Sequence, residues 1–309
     1  MSETGWAIAL HGGAGVMRRE TMDAAREAEV RAGLAAALAA GREVLDAGGS
    51  SLDAVQATVC SLEDNPCFNA GHGSVMTSDG TFELEAAIMR GSDLAAGGVI
   101  NVSHIRNPVS LARYILDHSE HVVFAGAGAE RYAAGAGFEL ISSGYFETEM
   151  RRAQFNATRA SGAVTLDHDG KRYGTVGAVA RDRAGSLAAA TSTGGLNNKA
   201  PGRVGDSGII GGGTYANDKS CAVSATGRGE AFMRMTVARD IAAMIEYGGV
   251  ALADAVERKV MTELPVINGR GGVIALTRTG APVLQFNTPG MYRAAQCEGE
   301  AAQVAVFAL

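Results

Sequence analysis

Proline is scarce and long apolar runs are missing. Only 6 prolines stand among 309 residues, so the abundant glycine does not belong to a disordered Pro/Gly chain. No stretch approaches the roughly 20 apolar residues that cross a bilayer. The start, Met1-Ser2-Glu3-Thr4-Gly5, lacks the basic region that opens a secretory leader. No Lys/Arg run occurs and the net charge is −6, which argues against nucleic acid or an anionic membrane as partner. The 4 cysteines (Cys60, Cys67, Cys221, Cys297) form no CxxC pair and read as reduced thiols. The 6 histidines (His11, His72, His104, His118, His121, His168) show no HExxH or similar spacing. Each reads alone as a packed or surface histidine, and zinc chemistry is not indicated. A Gly-x-Ser-x-Gly elbow is also absent. A soluble, cytoplasmic chain is expected.

What is present is apolar and rich in glycine. Apolar residues make up 47% and charged ones 19%, enough for a sizeable core. The 42 glycines are roughly twice the usual share of about 7%, which suggests tight turns and close backbone approaches. A short strand at 6–10 should break at His11-Gly-Gly-Ala-Gly15. A long helix over 21–47 follows, with Val30, Leu34, Leu38 and Leu45 on one face. Gly48-Gly49 stops it, and Ser50 or Ser51 caps a second helix carrying Leu52, Val55, Val59 and Leu62. A loop at 65–73 leads to a hairpin of strands near 74–77 and 81–89. A helix near 109–118 and a strand–turn–helix over 122–134 complete the first half. Residues 148–173 lack periodicity and read as a mobile linker. Strands at 175–181 and 186–190, helices near 230–247 and 252–264, and strands near 273–277, 282–286 and 303–308 close the chain. Strand-rich layers covered by helices are expected.

Two glycine clusters invite a nucleotide reading. Phe124-Ala-Gly126-Ala-Gly128-Ala-Glu-Arg131 follows a strand and opens a helix, but Arg131 stands where a third glycine belongs. Gly208-Ile-Ile-Gly211-Gly-Gly213-Thr214 lacks the Lys-Ser/Thr end of a phosphate loop. Both read as structural turns. Threonine remains: Thr175 stands first on an apolar strand, behind the aperiodic segment. Taken singly, a threonine at a strand start is structural far more often than catalytic.

The set of motifs is more specific than any member. His11-Gly-Gly-Ala-Gly15, Phe68-Asn-Ala-Gly-His-Gly-Ser74, Gly174-Thr-Val-Gly-Ala-Val179, Thr191-Ser-Thr-Gly-Gly195, Gly202-Arg-Val-Gly-Asp-Ser207, Ala225-Thr-Gly-Arg-Gly-Glu230 and Phe286-Asn-Thr-Pro-Gly-Met291 occur in one order. In this the chain resembles the plant-type L-asparaginase/isoaspartyl peptidase family of N-terminal-nucleophile hydrolases, over essentially its whole length. The resemblance implies an α+β fold, a four-layer αββα sandwich in a single domain. It also implies self-cleavage between Gly174 and Thr175 into an α chain 1–174 and a β chain 175–309, with a homodimer of such αβ units.

An internal threonine hydroxyl is a poor nucleophile because it needs a base. Cutting before Thr175 supplies one, the freed α-amine of the same residue. Its reference pKa of about 7.7–8.0, against about 10.4 for lysine, leaves much more of it neutral near pH 7 than of a lysine. By resemblance, Thr193 hydrogen-bonds the nucleophile, Asn69 orients it, and Thr226 with Gly227 stabilises the oxyanion. Arg203, Val204, Gly205 and Asp206, with Thr226, Gly227, Arg228 and Gly229, would bind substrate. Arg203 would fork onto an α-carboxylate while Asp206 accepts from an α-ammonium. The carbonyls of Leu62, Glu63, Asn65, Phe68, Ala70 and His72 would cage a structural sodium ion, and no organic cofactor is needed. The substrates implied are L-asparagine and β-aspartyl dipeptides. A glycosylasparaginase-like amidase, or a non-cleaving α/β ligand-binding protein of the same fold, are the alternatives. The chain departs from the family pattern at Glu85 and Arg90, where Asp is frequent, and at Pro289, where an acidic residue is frequent. The expectation is that these bear on packing or substrate preference and not on the chemistry.

Overall fold

The computed structural model describes residues 5–161 and 174–308. Twelve strands form two sheets. They are β1 (Ala7–Gly15), β2 (Leu84–Arg90), β3 (Ala96–Val102), β4 (Val123–Ala125), β5 (Val176–Arg181), β6 (Leu187–Thr193), β7 (Thr214–Ala216), β8 (Ala222–Gly227), β9 (Gly271–Leu276), β10 (Val283–Phe286), β11 (Gly290–Cys297) and β12 (Gln303–Phe307). The larger sheet runs β12-β11-β1-β5-β6-β2-β3-β4 and the smaller β10-β9-β8-β7. Pairing is antiparallel throughout except between β3 and β4.

The helices are α1 (Ala24–Asp46), α2 (Ser51–Glu63), α3 (Pro108–His118), α4 (Gly126–Gly135), α5 (Glu149–Ser161), α6 (Gly229–Arg234), α7 (Val237–Gly248) and α8 (Leu252–Glu257). Helices α1, α2 and α3 cover the outer face of the larger sheet, α7 and α8 that of the smaller, and the inner faces of the two sheets meet. The expected α+β, four-layer αββα sandwich is therefore observed.

Alternation along the strands explains the two cores. On β1, Ile8 and Leu10 point at the helices while Ala7 and Ala9 point at the second sheet; on β5, Ala178 and Ala180 oppose Val179 in the same way. The space between the sheets includes many small residues, Ala7, Ala9, Ala189 and Ala222 among them. Small inner residues let the sheets approach closely. Truncating Ile8 or Leu10, both fully buried, to alanine would cost about 2–5 kcal/mol.

Several elements differ from expectation for visible reasons. Strand β1 does not break at His11 but runs to Gly15 through a bulge between His11 and Gly13. Ser50 caps α2, its hydroxyl accepting from Asp53 N at 3.1 Å. The expected hairpin at 74–77 does not form: Thr77 makes a single bridge to Lys199 and β2 begins at Leu84. Instead of a linker, residues from Glu149 to Ser161 form α5; the rest of the expected linker, 162–173 with His168, lies outside the described residues. The helix expected over 230–247 is two helices, broken at Thr236, whose φ is +43°. The first N–H groups of α7 bond instead to a neighbouring loop, Ala238 to Gly212 O and Arg239 to Gly211 O. After α8 the helix widens into a π-helical turn, Arg258–Glu263, just before Pro265, which cannot donate a backbone hydrogen bond. Strands β3, β7, β8 and β11 carry no clean apolar alternation and escape the sequence.

Candidate active site

Thr175 immediately precedes β5, at the centre of the larger sheet, and is 7% exposed. The Thr175 hydroxyl donates to Thr193 Oγ1 at 3.1 Å, and Gly195 N donates to the same oxygen at 3.0 Å. Thr193 ends β6, which pairs with β5 and with β2, so strand pairing brings the two hydroxyls together. Asn69 works at one remove from Thr175. Its Nδ2 donates to Gly195 O at 2.8 Å and its Oδ1 accepts from Val75 N at 2.9 Å. It clamps the turn that presents Gly195 N to Thr193.

The carbonyl of Thr175 is held from the other side by His11. With the proton on Nδ1, His11 donates to Thr175 O at 2.9 Å and Nε2 accepts from Ser224 Oγ at 2.9 Å. Ser224 Oγ lies 2.7 Å from Thr191 Oγ1. His11 is fully buried, and burial lowers its pKa to about 3, so the ring is neutral. Neutrality is what this relay needs, since one nitrogen must accept. Histidine spacing in the sequence gives no sign of this role of His11, which is visible only through contacts across 164 and 213 residues. Gly177 makes room for it, because a Cβ there would come within 2.0 Å of Ser224 Oγ and 2.7 Å of His11 Nε2.

Thr226 Oγ1 accepts from Ala14 N at 3.3 Å, and a Cβ on Gly174 would meet that oxygen at 2.9 Å. Gly13, at φ +114°, packs so close that a Cβ on it would lie 2.5 Å from Gly174 N. Glycine is required there on both counts, conformation and space.

Thr175, Thr193, Arg203, Asp206 and Gly227 line one narrow cleft with Gly174, joined by Leu196, which no motif had marked. Asp206 is 3% exposed, and its Oδ2 has no hydrogen-bond partner. Burial pushes its carboxyl up to about 7, against the pull of its own backbone N–H and of Arg203. Arg203 does not pair with Asp206. Its Nε and Nη2 bond Glu230 Oε1 at 3.0 and 2.9 Å, which leaves Nη1 outside that contact. Gly229 keeps the space between them open: a Cβ there would lie 2.8 Å from Asp206 Oδ1 and 3.1 Å from Arg203 Nη2. Val204 is half-buried, Gly205 is buried, and Arg228 is exposed at the cap of α6.

Glu85, expected to matter only for packing or preference, is fully buried beneath this loop, and both its oxygens lie 2.9 Å from Gly205 N. Burial raises its pKa, opposed by Lys199 and by the Gly205 N–H. Arg90 is half-exposed and pairs with Asp93 at 2.8 Å, away from the cleft. Pro289 O accepts from Ala308 N at 3.3 Å.

The loop at 62–73 is folded on itself. Glu63 O accepts from His72 N at 2.7 Å, Asn65 O from Phe68 N at 3.2 Å and Leu62 O from Asn65 N at 3.3 Å. The Pro66 and Phe68 carbonyls crowd Gly73, where a Cβ would lie 2.7 and 2.9 Å from them. The Leu62, Glu63 and Asn65 carbonyls thus accept bonds within the loop itself, and each keeps a second lone pair. The Glu63 side chain accepts from Ser192 Oγ at 2.6 Å, and burial raises its carboxyl to about 8. Among the described residues no cluster of His, Cys, Asp or Glu side chains could hold a metal, and no helix is long and apolar enough to cross a membrane.

A buried threonine at a strand start, a second threonine holding its hydroxyl and a carboxylate with one unpartnered oxygen lie together in one cleft. Comparison with known proteins gives the family. The family model described as "Asparaginase" matches residues 4–306. The isoaspartyl peptidase of Salmonella typhimurium is 49% identical over 306 residues, covering 97% of this chain and 98% of that protein. The isoaspartyl peptidase of Escherichia coli is also 49% identical, covering 97% and 95%. The human isoaspartyl peptidase/L-asparaginase is 37% identical, covering 95% and 94%. The chain belongs to the asparaginase family and is a hydrolase of that type.

Proposed function

We propose that this chain is a self-activating threonine amidohydrolase that releases L-aspartate from β-aspartyl dipeptides and from L-asparagine. The observation that carries the reading is the buried Thr175 hydroxyl, engaged by Thr193, in one cleft with the unpartnered Asp206 carboxylate and Arg203.

In the uncut chain the Thr175 hydroxyl attacks the Gly174 carbonyl carbon. The C–N bond breaks, the nitrogen of Thr175 takes up the proton that the hydroxyl gives up, and an ester between Gly174 and the Thr175 side-chain oxygen remains. Water opens the ester, leaving a carboxylate on Gly174 and a free α-amine on Thr175. In the mature enzyme that amine takes the hydroxyl proton as Thr175 attacks the side-chain carbonyl of the substrate. It then gives the proton to the departing ammonia or amino acid. A second water hydrolyses the aspartyl ester. The Thr226 hydroxyl and the Gly227 N–H serve the oxyanion, where loss of one donor typically costs about 10²–10³ in rate. Asp206 receives the substrate ammonium, which supplies the partner its Oδ2 lacks, and Arg203 receives the α-carboxylate.

A sodium ion held by the carbonyls of Leu62, Glu63, Asn65, Phe68, Ala70 and His72 would brace the loop that carries Asn69. Pairing of two αβ units, which rests on the family resemblance, and a cytoplasmic location, expected from the sequence, belong to the same proposal.

The test is aspartate release from β-Asp-Leu by wild type and Thr175→Ala. Wild type should hydrolyse it and the variant should lose at least about 10³-fold, remaining one band on a denaturing gel. A variant that still splits and still turns over would sink the assignment. Faster release from N-glycosylated asparagine than from β-Asp-Leu would favour the glycosylasparaginase reading.

A further inference from the structure

Glu85, the second residue of β2, stands directly opposite Thr193 in register and has no exposed surface. A carboxylate so placed is costly unless donors and opposite charges surround it. Here the Gly205 N–H points between its two oxygens, 2.9 Å from each. Lys199, 1% exposed, lies on one side with its ammonium donating to Glu83 O at 2.6 Å, and Arg203 lies on another. Two residues earlier on the same face, Glu83 accepts from Gly202 N at 2.9 and 3.1 Å. Two carboxylates on alternate positions thus grip the N–H groups of Gly202 and Gly205, on either side of Arg203. Beyond Gly205 the loop is tied by Asp206 O, which accepts from Ile209 N at 3.1 Å and Gly213 N at 2.9 Å, by the Thr214 hydroxyl donating to Ser207 O at 3.1 Å, and by the Gly208 N–H, which also reaches Glu85.

We propose that Glu85 is a positioning residue for recognition of the aspartyl head. By holding the Gly205 N–H from below, it sets the spacing between the Arg203 guanidinium and the Asp206 carboxylate. It touches neither substrate nor nucleophile. The space above Gly205 is tight, for a Cβ there would lie 3.0 Å from Arg203 Nη1 and 3.3 Å from Glu85 Oε2. A small shift of this peptide therefore moves the carboxylate-binding edge of Arg203. Charge matters as well as shape: an N–H bond to an ionised carboxylate is roughly twice as strong as a neutral one. The inference rests on the proposed β-aspartyl activity for its substrate.

The experiment compares self-cleaved wild type, Glu85→Gln and Glu85→Asp, with β-Asp-Leu as substrate and L-aspartate as competing product. For Glu85→Gln, the KM for β-Asp-Leu and the Ki of L-aspartate should rise together by about tenfold. Its kcat and self-cleavage half-time should stay within about twofold of wild type. Glu85→Asp, which keeps the charge, should recover part of the loss. An unchanged KM and Ki would overturn the proposal, as would kcat and self-cleavage falling in step with KM, the mark of general disorder. If Glu85→Gln does not mature, Glu85→Asp is judged by the same KM and Ki criterion, and failure of both to mature also overturns it. A wild type without dipeptidase activity would instead defeat the functional reading, and that outcome is visible without any variant.

Discussion

The two ends of the cleft are built on opposite plans. At the nucleophile end, the chain satisfies itself: Thr175 bonds through its hydroxyl to Thr193 and through its carbonyl to His11, which is backed by Ser224 and Thr191. At the substrate-head end, Asp206 Oδ2 is buried without a partner. Arg203 there is steadied by Glu230, whose side chain is 43% exposed. A satisfied network is rigid and fixes geometry. An unsatisfied buried carboxylate is costly and awaits a cation. The difference separates the task of presenting a hydroxyl from the task of selecting a ligand.

Removing the unsatisfied group should break the comparison most sharply. Asp206→Asn takes away one partner of a buried charge pair, a loss of about 2–5 kcal/mol, so kcat/KM for β-Asp-Leu should fall by about 10² or more. Self-cleavage should proceed at nearly the wild-type rate, because the Thr175 network is untouched; gel densitometry over time reads this directly. Gly177→Ala attacks the other end. The new methyl group must displace Ser224 Oγ and His11, at about 1–3 kcal/mol. Self-cleavage and kcat should both drop by about tenfold with KM little altered.

A pH profile sharpens the contrast without mutation. Asp206 must be ionised to receive an ammonium, and burial raises its pKa from 3.8 to about 7. Protonation therefore removes the binding site as pH falls through that value. The acid limb of kcat/KM, which reports free-enzyme groups, should be steeper below about pH 7 than that of kcat, where substrate already holds Asp206 ionised. Identical limbs would contradict the raised carboxyl.

The nucleophile end was largely legible in the sequence. Gly174, Thr175, Thr193, Thr226 and Gly227 stand in compact motifs, and strand pairing of β5 with β6 brings the first three together. His11, Ser224 and Glu85 were not legible as a functional set, because each acts through a contact more than 100 residues away. The same physics governs the fold. Helices α1, α2 and α3 announced themselves by periodic large residues. Strands β8 and β11 did not, because the close approach of the two sheets selects alanine, glycine and serine, which carry little pattern. Helix α5 was mistaken for linker since it has few apolar residues, and Phe155 is the one fully aromatic anchor it buries.

The central claim is that the Thr175 amine and hydroxyl come to belong to one free N-terminal residue. Intact mass spectrometry of the purified 31.6 kDa chain, with N-terminal sequencing of its fragments, tests it most directly. The account predicts two fragments, one beginning at Thr175 and accumulating in step with activity. Fully active material made only of the uncut chain would contradict it.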